Sequence, residues 1–456
     1  MKNNRIEQTM ISGQSTIHDA INAMDKSRYG IALIVDAEKH LESLVTDGDV
    51  RRAILNGIDL QSPVEKIMSK RPVFIKDEKN VEALVEMLKG EPFCGRSLLI
   101  PVVDEDNIPK KIVNSLDLLS KKPNEKLQKT SDRPLHVLLI GGAGYIGSVL
   151  TRLLLANNYK VTILDRFLYG ENSLKGIQGH PMLTIIKGDT RHIDDLVPLI
   201  RSAEAVIHLA ELVGDPLCAR DAQTTFEINY CATASIARIC SHLQVNRFIY
   251  VSSCSVYGAS ANPDSILTES SKLSHVSLYA KTKIDAEKAI RELQNGNFAP
   301  CILRLGTVFG FSYRPRFDLV INVLTAKAIA EKEISIFGGT QWRPHIHVKD
   351  VAYAIKKVLE APIEKVRGEL FNVIGENYKI ADIGDMVADL VPGTKLKNSN
   401  TSVDRRNYRV SGEKIKRILN FEPRTTVKDG IMEIVSALKS NPDINYKDSR
   451  YHNILS

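Results

Sequence analysis

The sequence predicts an α/β protein, a doubly wound parallel sheet with a smaller C-terminal part, preceded by an α+β unit made of two similar halves. A glycine-rich turn joins a short apolar run to a helical pattern between residues 135 and 157. Further apolar runs then alternate with helical patterns, as βαβ units require. Two stretches within the first 120 residues match each other at a fixed offset. The length of 456 residues calls for more than one domain. Apolar residues make up 43% and charged residues 25%, a globular balance that excludes intrinsic disorder and collagen-like repeats.

Composition narrows the function classes. The six cysteines (Cys94, Cys218, Cys231, Cys240, Cys254, Cys301) contain no C-x-x-C pair. This argues against a zinc ribbon or a disulfide framework, and a reducing compartment is expected. The opening MKNNRIEQTM lacks the apolar stretch of a secretory signal, and no uncharged run approaches a membrane span. A cytoplasmic location without membrane attachment is therefore expected. The net charge of +7 is diluted over a large surface and suits anionic small molecules at least as well as nucleic acid, which is not expected as a partner.

The repeat fills the first unit. LIVDAEKHLESLVTDGDV aligns with PVVDEDNIPKKIVNSLDL. Asp36 matches Asp104, Val45 matches Val113, Thr46 matches Asn114 and Asp49 matches Asp117, each pair 68 positions apart. Ahead of each lies a helical pattern, Ile17, Ala20, Ile21 and Met24 in the first and Val81, Leu84, Val85 and Leu88 in the second. Those sets lie 64 positions apart, so the second copy carries a short insertion near 92–95. Each copy (1–62 and 63–120) reads helix, strand, turn, strand, helix, with strands at 31–35 and 42–45, then 98–103 and 111–113. Neither is large enough to bury its own core, so the two would pack together. The segments VTDGDVRRAIL and VEKIMSKRPVFI make residues 1–120 resemble a tandem pair of CBS domains. That resemblance implies an adenine nucleotide between the copies, with Thr46 at phosphate or ribose and Asp49 at the ribose hydroxyls. The second copy keeps Asp117 but has Asn114 in place of the hydroxyl residue. The other reading is a structural or dimerising pair without ligand, in which Asp49 caps the following helix. The polar, lysine-rich stretch 121–133 reads as a tether.

The second unit opens with LHVLLI, a buried strand, followed directly by GGAGYIG and the helical SVLTRLLLANN. Gly141, Gly144 and Gly147 allow a tight turn and close backbone approach, and the helix start beyond Tyr145 and Ile146 offers unpaired N–H groups to a pyrophosphate. The next strand, KVTIL, ends in Asp165, an acceptor for adenosine ribose hydroxyls that repels a 2′-phosphate. NAD is thereby favoured over NADP, with Arg166 as a moderating charge. Strands at 183–187, 205–209, 248–251 and 301–305 continue the sheet.

Ser253 closes one of these strands, and Tyr279 and Lys283 form a Y-x-x-x-K. Residues four apart share a helix face. A tyrosine is a poor base at neutral pH, and a nearby ammonium favours its phenolate. The phenolate takes a proton from a sugar hydroxyl as hydride leaves the carbon, and the serine hydroxyl holds the same oxygen. No metal is expected, since His345 and His347 have no ligand partners in view and His208 reads as a core histidine.

Taken in order, GGAGYIG, Asp165, GDTRH, VIHLA, INYCAT, VSSCSVYG, YAKTK, LRLGTVFG, WRPHIHVKD and FNVIG make residues 134–456 resemble the extended short-chain dehydrogenase/reductases that act on nucleotide sugars. The resemblance implies a Rossmann-type core over about 134–312 and a substrate-binding part mainly over 313–456. It puts Asp189 and Thr190 beside the adenine, Leu209 and Ala210 along the cofactor channel, and Asn229 behind the active site. Ser253, Tyr279 and Lys283 become the catalytic set. Asn322 and Arg343 would hold the substrate's nucleotide diphosphate, with Asp404, Arg406 and Arg409 as further candidates. A homodimer and a role in surface-polysaccharide precursor synthesis are family expectations.

This fold hosts 4-epimerisation, 4,6-dehydration, decarboxylation and ketone reduction. The 4,6-dehydratases of the family carry Asp-Glu directly after the catalytic hydroxyl residue, whereas this chain has Cys254 and Ser255. A pocket for a sugar carboxylate, needed for decarboxylation, is not visible. The sequence thus predicts an NAD-dependent nucleotide-sugar epimerase of the 4-epimerase type, regulated through its CBS pair if that pair binds nucleotide. A 4-keto-sugar reductase or 4,6-dehydratase is the alternative within the class. A non-catalytic NAD or nucleotide sensor is the alternative outside it, opposed by the intact Ser253, Tyr279 and Lys283. Glu211, in VIHLAEL, stands where the family often has a small residue, and either reshapes the sugar pocket with VGDPLCARD or is an ordinary polar residue at a loop start.

Overall fold

The computed structural model describes residues 4–27, 29–46, 49–50, 53, 57–69, 72–76, 99–114, 135–245, 247–259, 265–294, 298–399 and 406–453. The chain divides into two compact units, Met1–Thr130 and Ser131–Ser456. No helix among the described residues is long and apolar enough to cross a membrane.

In the first unit the repeat is visible in the backbone. The hairpin Ile31–Val35 with Leu41–Thr46 pairs Ile31 with Thr46, and the hairpin Leu99–Val103 with Pro109–Asn114 pairs Leu99 with Asn114. Both slip register one residue before the turn, at Ile34/Val35 and at Val102/Val103. Each turn is fastened by its aspartate: Asp36 accepts from the His40 N–H at 2.7 Å, and Asp104 from the Ile108 N–H at 2.8 Å. Lys39 and Asn107 sit at matching left-handed positions. Helix Ile17–Ser27 packs Ile17, Ala20 and Met24 onto Ala32, Ile34 and Val45. The helix expected at 81–88, the insertion near 92–95 and the tether at 121–133 lie outside the described residues.

In the second unit seven parallel strands run in the order Leu370–Val373, Ala299–Leu305, Arg247–Ser253, Ala205–His208, His136–Ile140, Lys160–Asp165, Leu183–Lys187. Side chains alternate between faces with period two. Val137 and Leu139 meet helices Gly147–Ala156 and Val348–Glu360 on one face. Leu138 and Ile140 meet helices Ile193–Ser202, Thr233–His242 and Leu278–Glu292 on the other. A parallel sheet covered on both faces explains why LHVLLI is apolar throughout.

The C-terminal part is not a contiguous domain. Leu370–Val373 completes the main sheet beside Ala299–Leu305, although the sequence reading placed it with the substrate-binding part. The remainder lies on both sides of that strand in sequence: helix Val320–Glu331 comes before it and helices Ile380–Leu390 and Val427–Ser440 after it, and all three pack around Ile334 and Ile336. The reason is topological: the seventh strand pairs best where an open parallel edge awaits it, so the chain returns once more to the sheet.

Candidate active site

The glycine turn is fixed by its neighbours. Gly141 has φ of 91°, and a Cβ there would lie 2.7 Å from the Ala210 nitrogen. Leu209 and Ala210 thus form the opposite wall of the turn, and Leu209 N–H donates to the Ile140 carbonyl at 2.8 Å. A Cβ on Gly147 would lie 2.2 Å from the Gly141 carbonyl oxygen, so the helix start packs directly against the turn. Above Gly144 a Cβ would meet a single atom, the Gly141 oxygen at 3.3 Å, which leaves the cradle open on that side.

Asp165 holds the loop it follows. Its carboxylate accepts from Ala143 N–H at 2.9 Å and from Phe167 N–H at 2.8 Å. Burial pushes this carboxyl up from the usual range, against those backbone bonds. A carboxylate oxygen accepts more than one hydrogen bond, so acceptor capacity remains for ribose hydroxyls. Arg166 and Arg191 both pair with Asp189, at 3.1 and 2.8 Å. Burial raises Asp189, but the Arg191 hydrogen bonds and the Arg166 charge outweigh it and bring the carboxyl to about 2. Arg166 is therefore committed to a carboxylate, not poised for a 2′-phosphate. Thr190 is buried beside it. A strand–turn–helix cradle open at Gly144 and an acidic second strand end fit a dinucleotide without a 2′-phosphate.

The catalytic candidates converge from two elements. Strand Arg247–Ser253 delivers Ser253, whose hydroxyl accepts from Ser255 N–H at 3.1 Å and caps the turn that follows. Helix Leu278–Glu292, capped by Ser277, carries Tyr279 in its first turn and Lys283 one turn on. Its positive end favours a phenolate there. Burial, and next the Glu211 carboxyl, push the Tyr279 phenol well above the usual tyrosine range, and the nearby Ser253 hydroxyl offsets this only in part. Lys283 Nζ lies 5.8 Å from the Tyr279 ring centroid and 4.7 Å from that of Tyr250. It donates to the Val251 carbonyl at 2.6 Å and sits 2.6 Å from Glu211 Oε2. Glu211 Oε1 accepts from the Tyr250 hydroxyl at 2.7 Å.

Other predicted residues are present but spend their polar groups on the protein. Asn229 lies in a π-helical turn, Glu227–Ala232, and both ends of its amide bond the Leu212 backbone, at 2.9 and 2.8 Å. It fixes the corner that follows Glu211. Asn322 accepts from Gly310 N–H and donates to the Gly310 and Arg316 carbonyls and to the Tyr145 hydroxyl. It fastens the 310–316 loop and joins it to Tyr145. Arg343 is 6% exposed and donates to the Trp342 and Arg406 carbonyls. Arg406 pairs with Asp215 at 3.2 Å, which ties the C-terminal part to VGDPLC. Asp404 and Asp117 lie outside the described residues.

Thr46 and Asp49 are close but face each other. Thr46 N–H and Oγ1 donate to Asp49 Oδ2 at 2.9 and 2.7 Å, and Asp49 N–H donates back to Thr46 Oγ1 at 3.3 Å. Thr16 with Asp19, and Thr426 with Asp429, make the same reciprocal cap. Among the described residues Asp36, Glu38 and His40 also bring three metal-ligand atoms within 4.8 Å, although Asp36 and His40 already pair at 2.8 Å.

Sequence reasoning missed the roof over the glycine turn. Ser312 donates to the Tyr145 carbonyl at 2.6 Å, and the Tyr145 hydroxyl donates to the Gly310 carbonyl at 2.7 Å. Arg314 lies 3.8 Å over the Tyr169 ring and donates to Asn453 Oδ1 at 2.7 Å. Asn453 in turn donates to the Val213 carbonyl at 3.1 Å. The run SYRPR was the available signal, since arginines beside prolines in a loop are seldom buried without a task. His208 is a core residue, bonded to Thr233 at 2.8 Å and kept neutral by burial, which lowers it to about 3.

Comparison with known proteins agrees with this fold. The family model described as NAD dependent epimerase/dehydratase family matches residues 137–373, and the CBS domain model matches 8–56 and 64–124. Uncharacterized UDP-glucose epimerase YtcB of Bacillus subtilis (strain 168) is 26% identical over 67% of this chain and 98% of its own length. The dTDP-glucose 4,6-dehydratase 1 of Escherichia coli (strain K12) is 25% identical over 67% of this chain and 93% of its own. Among solved structures, UDP-glucuronic acid 4-epimerase of Bacillus cereus, in complex with UDP-glucuronic acid and NAD, superposes with a TM-score of 0.61 at 25% identity. It covers 67% of this chain and 99% of that one.

Proposed function

The chain belongs to the NAD dependent epimerase/dehydratase family, and from that premise we propose that it is a nucleotide-sugar 4-epimerase. Its relatives include both epimerases and dehydratases, so the choice rests on this chain's own residues. The observation that carries it is the pair after Ser253. The Cys254 thiol is buried, pushed well up by that burial, and donates to the Arg304 carbonyl at 3.4 Å. Ser255 is 6% exposed, with a hydroxyl that has no hydrogen-bond partner among the described residues. Neither is an acid or base able to remove a C5 proton or protonate a departing C6 hydroxyl.

NAD, when bound, supplies the hydride acceptor for the sugar carbon. Tyr279 takes the proton of the C4 hydroxyl and returns it to the same C4 oxygen, and inversion requires the ketosugar to turn so that hydride comes back to C4 from the opposite face. Ser253 holds the same oxygen and steadies the phenolate. Lys283 keeps its place through Val251 and Glu211. Arg343 and Arg406, which the resemblance puts at the nucleotide diphosphate, are bonded here to backbone carbonyls and to Asp215, so holding the diphosphate requires them to exchange those partners. For the CBS pair a structural role leads over adenine-nucleotide control, because Thr46 and Asp49 repeat a cap this chain uses twice elsewhere.

A nucleotide hexose carrying deuterium at C4 tests the reaction. Epimerisation returns the label to C4 of the product, with no net NADH formed. A reductase consumes NADH with a ketosugar and leaves the labelled hexose unchanged in the presence of NAD alone.

A further inference from the structure

Glu211 is the departure from the resembled pattern that lies deepest in the site. Glu211 Oε2 is 2.6 Å from Lys283 Nζ, and the two side chains are 2% and 4% exposed. Its other oxygen accepts from the Tyr250 hydroxyl at 2.7 Å, so one carboxylate oxygen is hydrogen-bonded and the other is in ion-pair contact. Asn229 fixes the next residue, Leu212, by two hydrogen bonds, which removes slack from the corner.

A lysine beside a catalytic tyrosine acts through its positive charge. Here that charge is met in direct contact. The pair carries no net charge whichever of Nζ and Oε2 holds the proton between them. In a water-excluded site such a cancellation is felt across several ångströms. The charged and titratable groups around Tyr279 come from every packed element. They are Glu211, Cys218 on helix Asp215–Arg220, Arg316 on the roof loop, Tyr250 on the strand, and Lys283 on its own helix. Arg316 favours the phenolate but is itself paired with Asp318 at 2.5 Å, and Glu211 is the leading electrostatic influence against it.

We propose that Glu211 is a positioning residue of the hydride-transfer centre, which holds Lys283 in place and cancels its charge, so that Tyr279 stays a phenol until a further positive charge enters the pocket. The consequence is a base that is off in the cofactor-free protein and on when an oxidised nicotinamide is present. This rests on the reading of Tyr279 as the base.

The test is the near-ultraviolet tyrosinate band of the full-length, cofactor-free protein, followed from pH about 7 to 11. The contribution of Tyr279 is isolated by subtracting the same titration of the Tyr279→Phe form. In Glu211→Ala, which installs the small residue of the resembled family, the onset moves down by about one pH unit or more. Glu211→Gln, equal in shape, moves it the same way and carries the comparison if the alanine form does not fold. Added NAD lowers the onset in the unaltered protein. An onset shared by the unaltered protein and both variants overturns the proposal, as does absence of the band from all of them while the fold persists. Failure of the base assignment would show differently, as hexose turnover surviving in Tyr279→Phe.

Discussion

Tyr279 and Lys283 share a helix face, and the helix start lies against the end of the strand that carries Ser253. Replacing Tyr279 by Phe keeps the packing and removes the proton-transfer group. Turnover of a nucleotide hexose should fall by about two orders of magnitude or more, with NAD affinity retained, as steady-state rates and calorimetry would show. At Gly147 even a methyl group meets backbone, 2.2 Å from the Gly141 oxygen. Gly147→Ala should cost about 1–3 kcal/mol of stability and weaken NAD binding, since the turn itself must shift. Thr46→Ala removes one half of a reciprocal cap and should cost about 1 kcal/mol in thermal unfolding. These positions were legible in the sequence because each belongs to a local motif. Glu211 was legible as a departure, but its partners were not. Tyr250 and Lys283 reach it across 39 and 72 positions of sequence, and no periodicity reports such a contact.

At the scale of elements, alternation and glycine placement announce the strands and the first helix, because a covered parallel sheet leaves a continuous apolar run. The 310–318 loop announces nothing comparable. Its conformation is written in side-chain bonds to Tyr145 and Asn453, far away in sequence, and to Asn322 on the helix that follows it. Asn322, a substrate-binding candidate by resemblance, is bonded to that loop in this structure. Helix Val427–Ser440 is pinned in a similar way: Glu433 accepts from Phe311 N–H at 3.1 Å, meets His347 Nε2 at 2.7 Å and contacts Lys349. Burial pushes Glu433 up, but His347 and Lys349 outweigh it and bring the carboxyl to about 2. A lowered carboxyl stabilises the fold above its unfolded value and loses that contribution as pH falls through its folded one. Glu433→Gln should therefore lower the melting temperature at neutral pH, and its difference from the unaltered protein should shrink between pH about 4.5 and 2.

At the scale of the molecule, the two units keep separate cores. Ile17, Ala32 and Val45 belong to one, and Val137, Leu150 and Ile355 to the other. A chain of residues 131–456 should fold cooperatively and bind NAD as the full chain does, which calorimetry of both would check. The internal repeat was legible because its hairpins are near copies with the same register and the same slip before the turn. The return of Leu370–Val373 to the main sheet was not, since a short buried strand carries no mark of the sheet it joins.

The central claim is that the centre around Ser253, Tyr279 and Lys283 inverts a sugar carbon and does not dehydrate the sugar. Proton NMR of the protein with NAD and a panel of nucleotide hexoses in D₂O tests it most directly. The account predicts a new epimer without solvent deuterium. A 4-keto-6-deoxy product carrying deuterium at C5 would contradict it, because Cys254 and Ser255 would then have to be doing the work of an acid and a base.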